Sequence, residues 1–289
     1  MGQKNILAGK AMIIVACYQD NPPKTRRPYM PVCNLRADET KPVGYEYYDT
    51  VKNLAKKNHS YCELSAFKDS LEYFSEEPWL GLSHYRRMFV ENSSKKPFDY
   101  IDEISYEDKI FLKRKGANLE AWNLRMEHHD VVVARKESMS SLGFANSYEQ
   151  YCANHPAIYF EYLEEVIHDL FPNLPSFIDY HKQNTGMSFY NMIVAKKSIL
   201  NDYSDFLFSV LGECESFIGF ERTDYQGRWA GFLGERLMDY WITTAGRTLP
   251  LSVHEMTVAI GSRKNSKVPN FVRNSRVIRR AAKYLPISR

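Results

Sequence analysis

Three clusters of residues have the types and spacing to do chemistry. In the segment Gln226-Gly-Arg-Trp-Ala-Gly-Phe-Leu-Gly-Glu235-Arg-Leu-Met-Asp239, Glu235 and Asp239 stand four apart on a helical stripe. The opposite stripe is Leu233, Leu237, Tyr240 and Trp241. A carboxylate near the start of such a helix, beside glycines that admit a ligand, can act as a general base. The alternative is a solvated first-turn acid favoured by the helix dipole. The second cluster is His84-Tyr85-Arg86-Arg87 at the end of an apolar run. Its arginines can grip phosphate or carboxylate by paired hydrogen bonds, or serve structural ion pairs instead. Strand alternation predicts His84 and Arg86 on one face, with Tyr85 and Arg87 on the other. The third is Lys56-Lys57-Asn58, just before Ser60-x-x-Glu63. The latter reads as a capping box opening a helix over 61–75, which gives Glu63 a structural task. Two ammonium groups beside free helix N–H donors suit a diphosphate, and a solvated lysine pair is the alternative.

No glycine-rich dinucleotide fingerprint, Walker lysine loop, Gly-x-Ser-x-Gly, His-Glu-x-x-His or Asp-x-Asp is present. His128-His129-Asp130 has no second ligand cluster to complete a metal site.

The elements that must position these residues alternate in type. Met12 to Cys17, Trp79 to Ser83, Asp130 to Ala134 and Asn191 to Ala195 predict buried strands. Between them, the stripes Leu64, Phe67, Leu71, Phe74 and Leu200, Tyr203, Phe206, Leu207, Val210 predict helices. This alternation predicts an α/β layered fold around a mainly parallel sheet. Tyr18 to Lys57 and Glu91 to Asn123 read as long polar loops leaving strand ends, where α/β proteins build ligand sites.

The 289 residues, 44% hydrophobic and 25% charged, are the composition of a globular protein with a core that needs no staples. The longest strongly apolar run, Ala11 to Cys17, is far short of the roughly 20 residues that span a bilayer. The start shows neither a signal peptide nor a myristoylation pattern. Five scattered cysteines outside any Cys-x-x-Cys pair point to a reducing compartment, so a cytoplasmic location is expected.

Together these residues resemble a bacterial glycosyltransferase family of capsule, exopolysaccharide and O-antigen clusters, long catalogued as a domain of unknown function. Some of its members are galactofuranosyltransferases. The resemblance spans roughly Met12 to Thr244 and is carried by Lys57-Asn58, Tyr61-Cys62-Glu63-Leu64-Ser65-Ala66, Gly81 to Phe89, Asn191-Met192, Gly231-Phe232-Leu233 and Glu235-Arg236-Leu237. It implies a GT-A-like, Rossmann-like fold with a mixed, mainly parallel sheet flanked by helices, and transfer of a hexosyl unit, plausibly galactofuranosyl from a UDP donor, to a lipid-linked glycan. Donor contacts are then expected from Tyr18, Asp49, Lys57, Asn58, His84, Tyr85, Arg86 and Arg87. Glu235 is the expected base, and Tyr190 and Asn191 are expected acceptor contacts. Tyr18 replaces a histidine common in relatives, and only Asp49 and Asn53 remain of a Gly-Asp-Asn-Ile pattern, so donor preference can differ. With arginines where other GT-A enzymes hold metal-binding acids, no metal or other cofactor is expected. The expected reaction is inverting; a retaining hexosyltransferase and a non-catalytic assembly protein are the competing readings.

Charge is uneven along the chain. Nine of the 38 basic residues and none of the 35 acidic ones lie in 263–289, leaving 29 against 35 elsewhere, a balance of −6. The expected organisation is a catalytic domain over 1–262 and a basic amphipathic tail over 263–289. Such a tail suits the anionic inner face of the cytoplasmic membrane, whereas the acidic body argues against nucleic acid as a partner.

Overall fold

In this computed structural model, residues 11–17, 23–33, 57–94, 96–220, 224–244 and 251–261 are described. Tyr18, Asp49, Asn53 and the 263–289 tail lie outside them. The run Ala-Met-Ile-Ile-Val-Ala-Cys forms β1 (Ala11–Cys17), buried along its whole length. Its alternate residues feed two cores: Met12, Ile14 and Ala16 one side, Ala11, Ile13, Val15 and Cys17 the other. That explains a continuous rather than alternating apolar run, since both faces of the sheet are covered.

β1 lies between β2 (Tyr29–Cys33) and β3 (Trp79–His84), parallel to both. β9 (Ile193–Lys196) runs antiparallel between β3 and β6 (Val131–Ala134). β6 is parallel to the first half of β10 (Val253–Gly261), through Val253 to Met256. The second half of β10 pairs antiparallel with β4 (Arg87–Val90) and parallel with β5 (Phe98–Ile101). β4 turns back from β3 with His84 opposite Arg87, so β3, β9, β6, β10 and β4 close into a ring.

The α/β class and a mixed sheet are as expected, but the sheet is not mainly parallel: four of these eight pairings are antiparallel. Direction is unreadable in buried Val/Ile runs, which look alike whichever way they point. The expected loop over Glu91–Asn123 is also corrected, because it carries β5, α3 (Lys109–Arg114) and the start of α4 (Leu119–His128). Likewise β2 interrupts the segment after β1.

The larger core packs the helices against one sheet face. These are chiefly α2 (Glu63–Tyr73), α7 (Ala157–Leu170), α9 (Lys197–Ile218) and α10 (Trp229–Thr244). α1 (Asn58–Tyr61) is a single turn before α2. α5 (Met139–Leu142), α6 (Ser147–Cys152) and α8 (Phe177–Gln183) surround a small antiparallel pair, β7 (Glu137–Ser138) and β8 (Gly186–Met187). α10 lies close over the α1–α2 junction. A Cβ on Gly234 would fall 2.5 Å from Leu64 Cδ1, and one on Gly231 would fall 3.1 Å from Cys62 Sγ.

Candidate functional site

A cleft of about 370 Å³ opens where α10, the α1–α2 junction, the β3–β4 hairpin and the loop before β9 meet. Two of these walls rest on an unusual local structure. The helix expected over 61–75 is broken at Cys62, whose φ of 52° and ψ of −131° end α1 and start α2. The capping box therefore does not form: Ser60 sits within α1, and Glu63 turns its carboxylate to Asn191, whose Nδ2 donates to Oε1 at 3.0 Å. Before β9, Tyr190 and Asn191 have φ of 83° and 50°. Two successive left-handed residues cannot continue a strand, so β9 begins at Ile193 rather than Asn191.

Glu235 lies in this cleft at the middle of α10, with its side chain 14% exposed. Its Oε1 accepts the Tyr190 backbone N–H at 2.9 Å, and its Oε2 faces Arg236 Nη1 at 2.7 Å. Arg236, 2% exposed, also donates to Gln150 Oε1 at 2.5 Å. Burial holds the Glu235 carboxyl above its ordinary pKa, as does neighbouring Glu63, against the opposing pull of Arg236, the Tyr190 N–H and Arg87. Asp239, four residues on, is not a solvated partner. It is buried, paired with Lys136 Nζ at 2.9 Å, and accepts from Tyr180 and Asn184.

Arg87 lines the cleft with its guanidinium 3.9 Å from the centre of the Tyr190 ring. The alternation expected for 84–87 does not hold, because Tyr85 and Arg86 occupy a two-residue turn that places His84 and Arg87 side by side on adjacent strands. His84 is buried, and its Nδ1 accepts the Arg86 N–H at 3.2 Å. Burial, then Arg87, Arg86 and Arg228, push its pKa down to about 2, so it is a neutral acceptor at any working pH.

The remaining expected residues are spread more widely. Lys57 pairs with Glu215 Oε2 at 2.5 Å, beside a Tyr61 hydroxyl that donates to the same carboxylate. Asn58 accepts from Ser65 at 3.0 Å. Asn191 is buried, bridging Glu63 and the Gly231 carbonyl. Sequence reasoning missed Arg228, an exposed residue whose Nε lies 3.3 Å from Cys62 Sγ at the cleft edge. It also missed His155, Tyr225 and Phe232. Arg228 and Phe232 precede Glu235 by seven and three residues, a helical spacing that could have found them; nothing in the sequence links distant His155 to the site. Burial, with a smaller contribution from Glu63, pushes the Cys62 thiol up to about 11, which favours the neutral thiol at neutral pH. Among the described residues, no group of three or more His, Cys, Asp or Glu is placed to hold a metal ion, and no helix is long and apolar enough to cross a membrane.

Residues 12–246 match the model of a domain of unknown function, DUF4422. The chain belongs to that family. This is the membership expected from the Tyr61–Ala66 and Gly81–Phe89 motifs, and in this DUF4422 chain the two flank one cleft, through Cys62, Glu63 and Arg87. Among solved structures, the chain is similar to the apo structure of WbbM, a bifunctional glycosyltransferase, with a TM-score of 0.78 and 23% identity. The alignment covers 91% of the DUF4422 chain and 48% of that chain, so the protein spans about half of WbbM. At this identity the likeness is one of fold. No functionally curated protein matches.

Proposed function

We propose that this protein is a glycosyltransferase of bacterial surface polysaccharide synthesis, with a GT-A-like catalytic domain. It moves a hexosyl unit, galactofuranosyl from a UDP donor by family resemblance, to a lipid-linked glycan with inversion. The observation that carries this reading is Glu235: a carboxylate with a raised pKa, in a cleft edged by Arg87 and Arg228. The fold shared with a glycosyltransferase supports it.

The chemistry follows from that arrangement. A carboxylate has about four acceptor sites, and Tyr190 and Arg236 engage one on each oxygen, leaving the others for an acceptor hydroxyl. As that hydroxyl oxygen bonds to the anomeric carbon, its proton passes to Glu235. The bond from the anomeric carbon to the diphosphate breaks, and the nucleoside diphosphate leaves with the electron pair. Arg87 and Arg228 supply positive charge for that leaving group, the task given in many GT-A enzymes to a metal. Lys57, already paired with Glu215, is replaced in this role by Arg228. The 263–289 tail, with nine basic and no acidic residues, would hold the enzyme at the inner membrane surface where a lipid-linked acceptor lies.

Glu235→Gln tests the reading. Turnover should fall by roughly 10² or more, with UDP still raising the melting temperature; near wild-type turnover would move the base elsewhere. Activity that disappears in EDTA and returns with manganese would refute the arginine clamp. Removal of 263–289 should abolish binding to anionic liposomes and spare the UDP response.

A further inference from the structure

One wall of the cleft has no part in the chemistry above. Tyr225, on the 3₁₀ turn Tyr225–Arg228, is 58% exposed although it is a large aromatic residue on a well-anchored turn. The side chain of Asp224 caps that turn by accepting the Gly227 N–H. The Tyr225 ring lies nearly parallel to that of His155, with centres 6.0 Å apart and planes 16° apart. Phe232 fills the corner, 4.9 Å from Tyr225 and 4.2 Å from His155.

This wall is fixed before any ligand arrives. His155 Nδ1 is 3.0 Å from Gln226 Oε1, and Gln226 Nε2 donates to the Asn154 carbonyl at 2.9 Å. The imidazole is held neutral, its pKa pushed down to about 4 chiefly by burial. The three rings therefore form an uncharged, partly wet aromatic shelf, with Phe232 tilted 30° from His155 and 41° from Tyr225. An apolar face flanked by a few directed polar groups is what a sugar presents, with axial C–H bonds on one side and hydroxyls at the edge, and aromatic residues suit ligands that are part apolar and part polar.

Position selects which sugar. Phe232 and Glu235 are three apart on α10, hence neighbours on its surface, separated by about 4.5 Å along the helix axis. A ring on the shelf lies next to the base, with the Arg228 guanidinium at the shelf's edge, 5.4 Å from the centre of the Phe232 ring. We propose that His155, Tyr225 and Phe232 form the subsite for the acceptor, stacking the hexose ring whose hydroxyl Glu235 deprotonates. This rests on the transferase reading for the word acceptor; the stacking itself rests on the shelf alone.

The test uses full-length protein and methyl hexopyranosides of galacto, gluco and manno configuration as probes, followed by saturation-transfer NMR, with UDP thermal shifts run in parallel. At least one probe should receive saturation on the C–H protons of one ring face. Tyr225→Ala should weaken its binding about tenfold and Tyr225→Phe by less than about twofold, each with an unchanged UDP shift. Tyr225 is exposed, so both variants should melt near the wild type. Equal binding by Tyr225→Ala and wild type, or no saturation transfer from any probe while UDP binds, overturns the shelf. Saturation transfer sensitive to Tyr225 without any response to UDP supports the shelf and sinks the transferase reading instead.

Discussion

Replacing Asn191 tests whether the loop before β9 holds the site together. Its Nδ2 donates to Glu63 Oε1 and to the Gly231 carbonyl, both at 3.0 Å, in a buried position with φ of 50°. Asn191→Ala removes a hydrogen bond to a charged acceptor, worth about 1.5–3 kcal/mol, and leaves the Gly231 carbonyl without this donor. It also places Ala in the left-handed region, costing about 1 kcal/mol more. The sum, about 2.5–4 kcal/mol, corresponds to a fall in melting temperature of roughly 4–7 °C for a chain of this size. Asn191→Gly removes the same hydrogen bonds without the backbone cost, so it should recover about 1 kcal/mol of the loss. Asn191→Asp sets a second carboxylate against Glu63 and should be the worst of the three. Urea denaturation of all four proteins, at constant m, provides the measurement. A loss under 1 kcal/mol for Asn191→Ala, or Gly no better than Ala, would refute the proposed division between bond and strain.

Three further outcomes are expected. Because the Glu235 pKa is raised, its base form is lost as pH falls through a value above the ordinary 4.5, so the acid limb of kcat should sit above that pH and be absent from residual Glu235→Gln activity. His84 and His155 are depressed to about 2 and about 4, and burial also holds His181 well below and His254 below the ordinary value, so the unfolded chain binds more protons than the folded one as pH drops below 6.5. Stability should therefore decline from pH 6.5 toward 4, less steeply in His155→Gln; Glu235, with the opposite shift, offsets part of the slope above 4.5. Arg228→Ala should raise the KM for the nucleotide-sugar donor and lower kcat, whereas Lys57→Ala should change stability more than either constant, as steady-state kinetics beside thermal melts will show.

Much of the scaffold was legible because it depends on local pattern. The runs at β1, β3 and β6, and the stripe from Leu200 to Val210, appear where apolar periodicity puts them. What failed was everything set by a distant partner. Ser60 and Glu63 have the spacing of a capping box, yet Asn191, 128 residues away, takes the Glu63 carboxylate and the chain kinks at Cys62 instead. Strand alternation failed over His84–Arg87 because hairpin pairing, not the strand pattern, decides where each side chain points. The place of Glu235 on α10 was readable from its neighbours, whereas His155 reaches the cleft through the α6–α7 connection that tertiary packing brings to it.

The pairing of β10 bears on how the chain must be synthesised and kept soluble. Thr257 faces Val90 and Val253 faces Val131, so a single nine-residue strand covers the hydrogen-bonding edges of β4, β5 and β6. The hairpin bearing Arg87 waits for a partner roughly 170 residues further along, a long-range closure of the kind that slows folding. Until then, Arg-Met-Phe-Val and Val-Val-Val-Ala both present unpaired backbone, an invitation to neighbouring chains. Yet β10 falls beyond residue 246, where the family match stops. The physical unit is longer than the recognisable one, and a protein cut at the edge of similarity would lose the strand that keeps three others from aggregating.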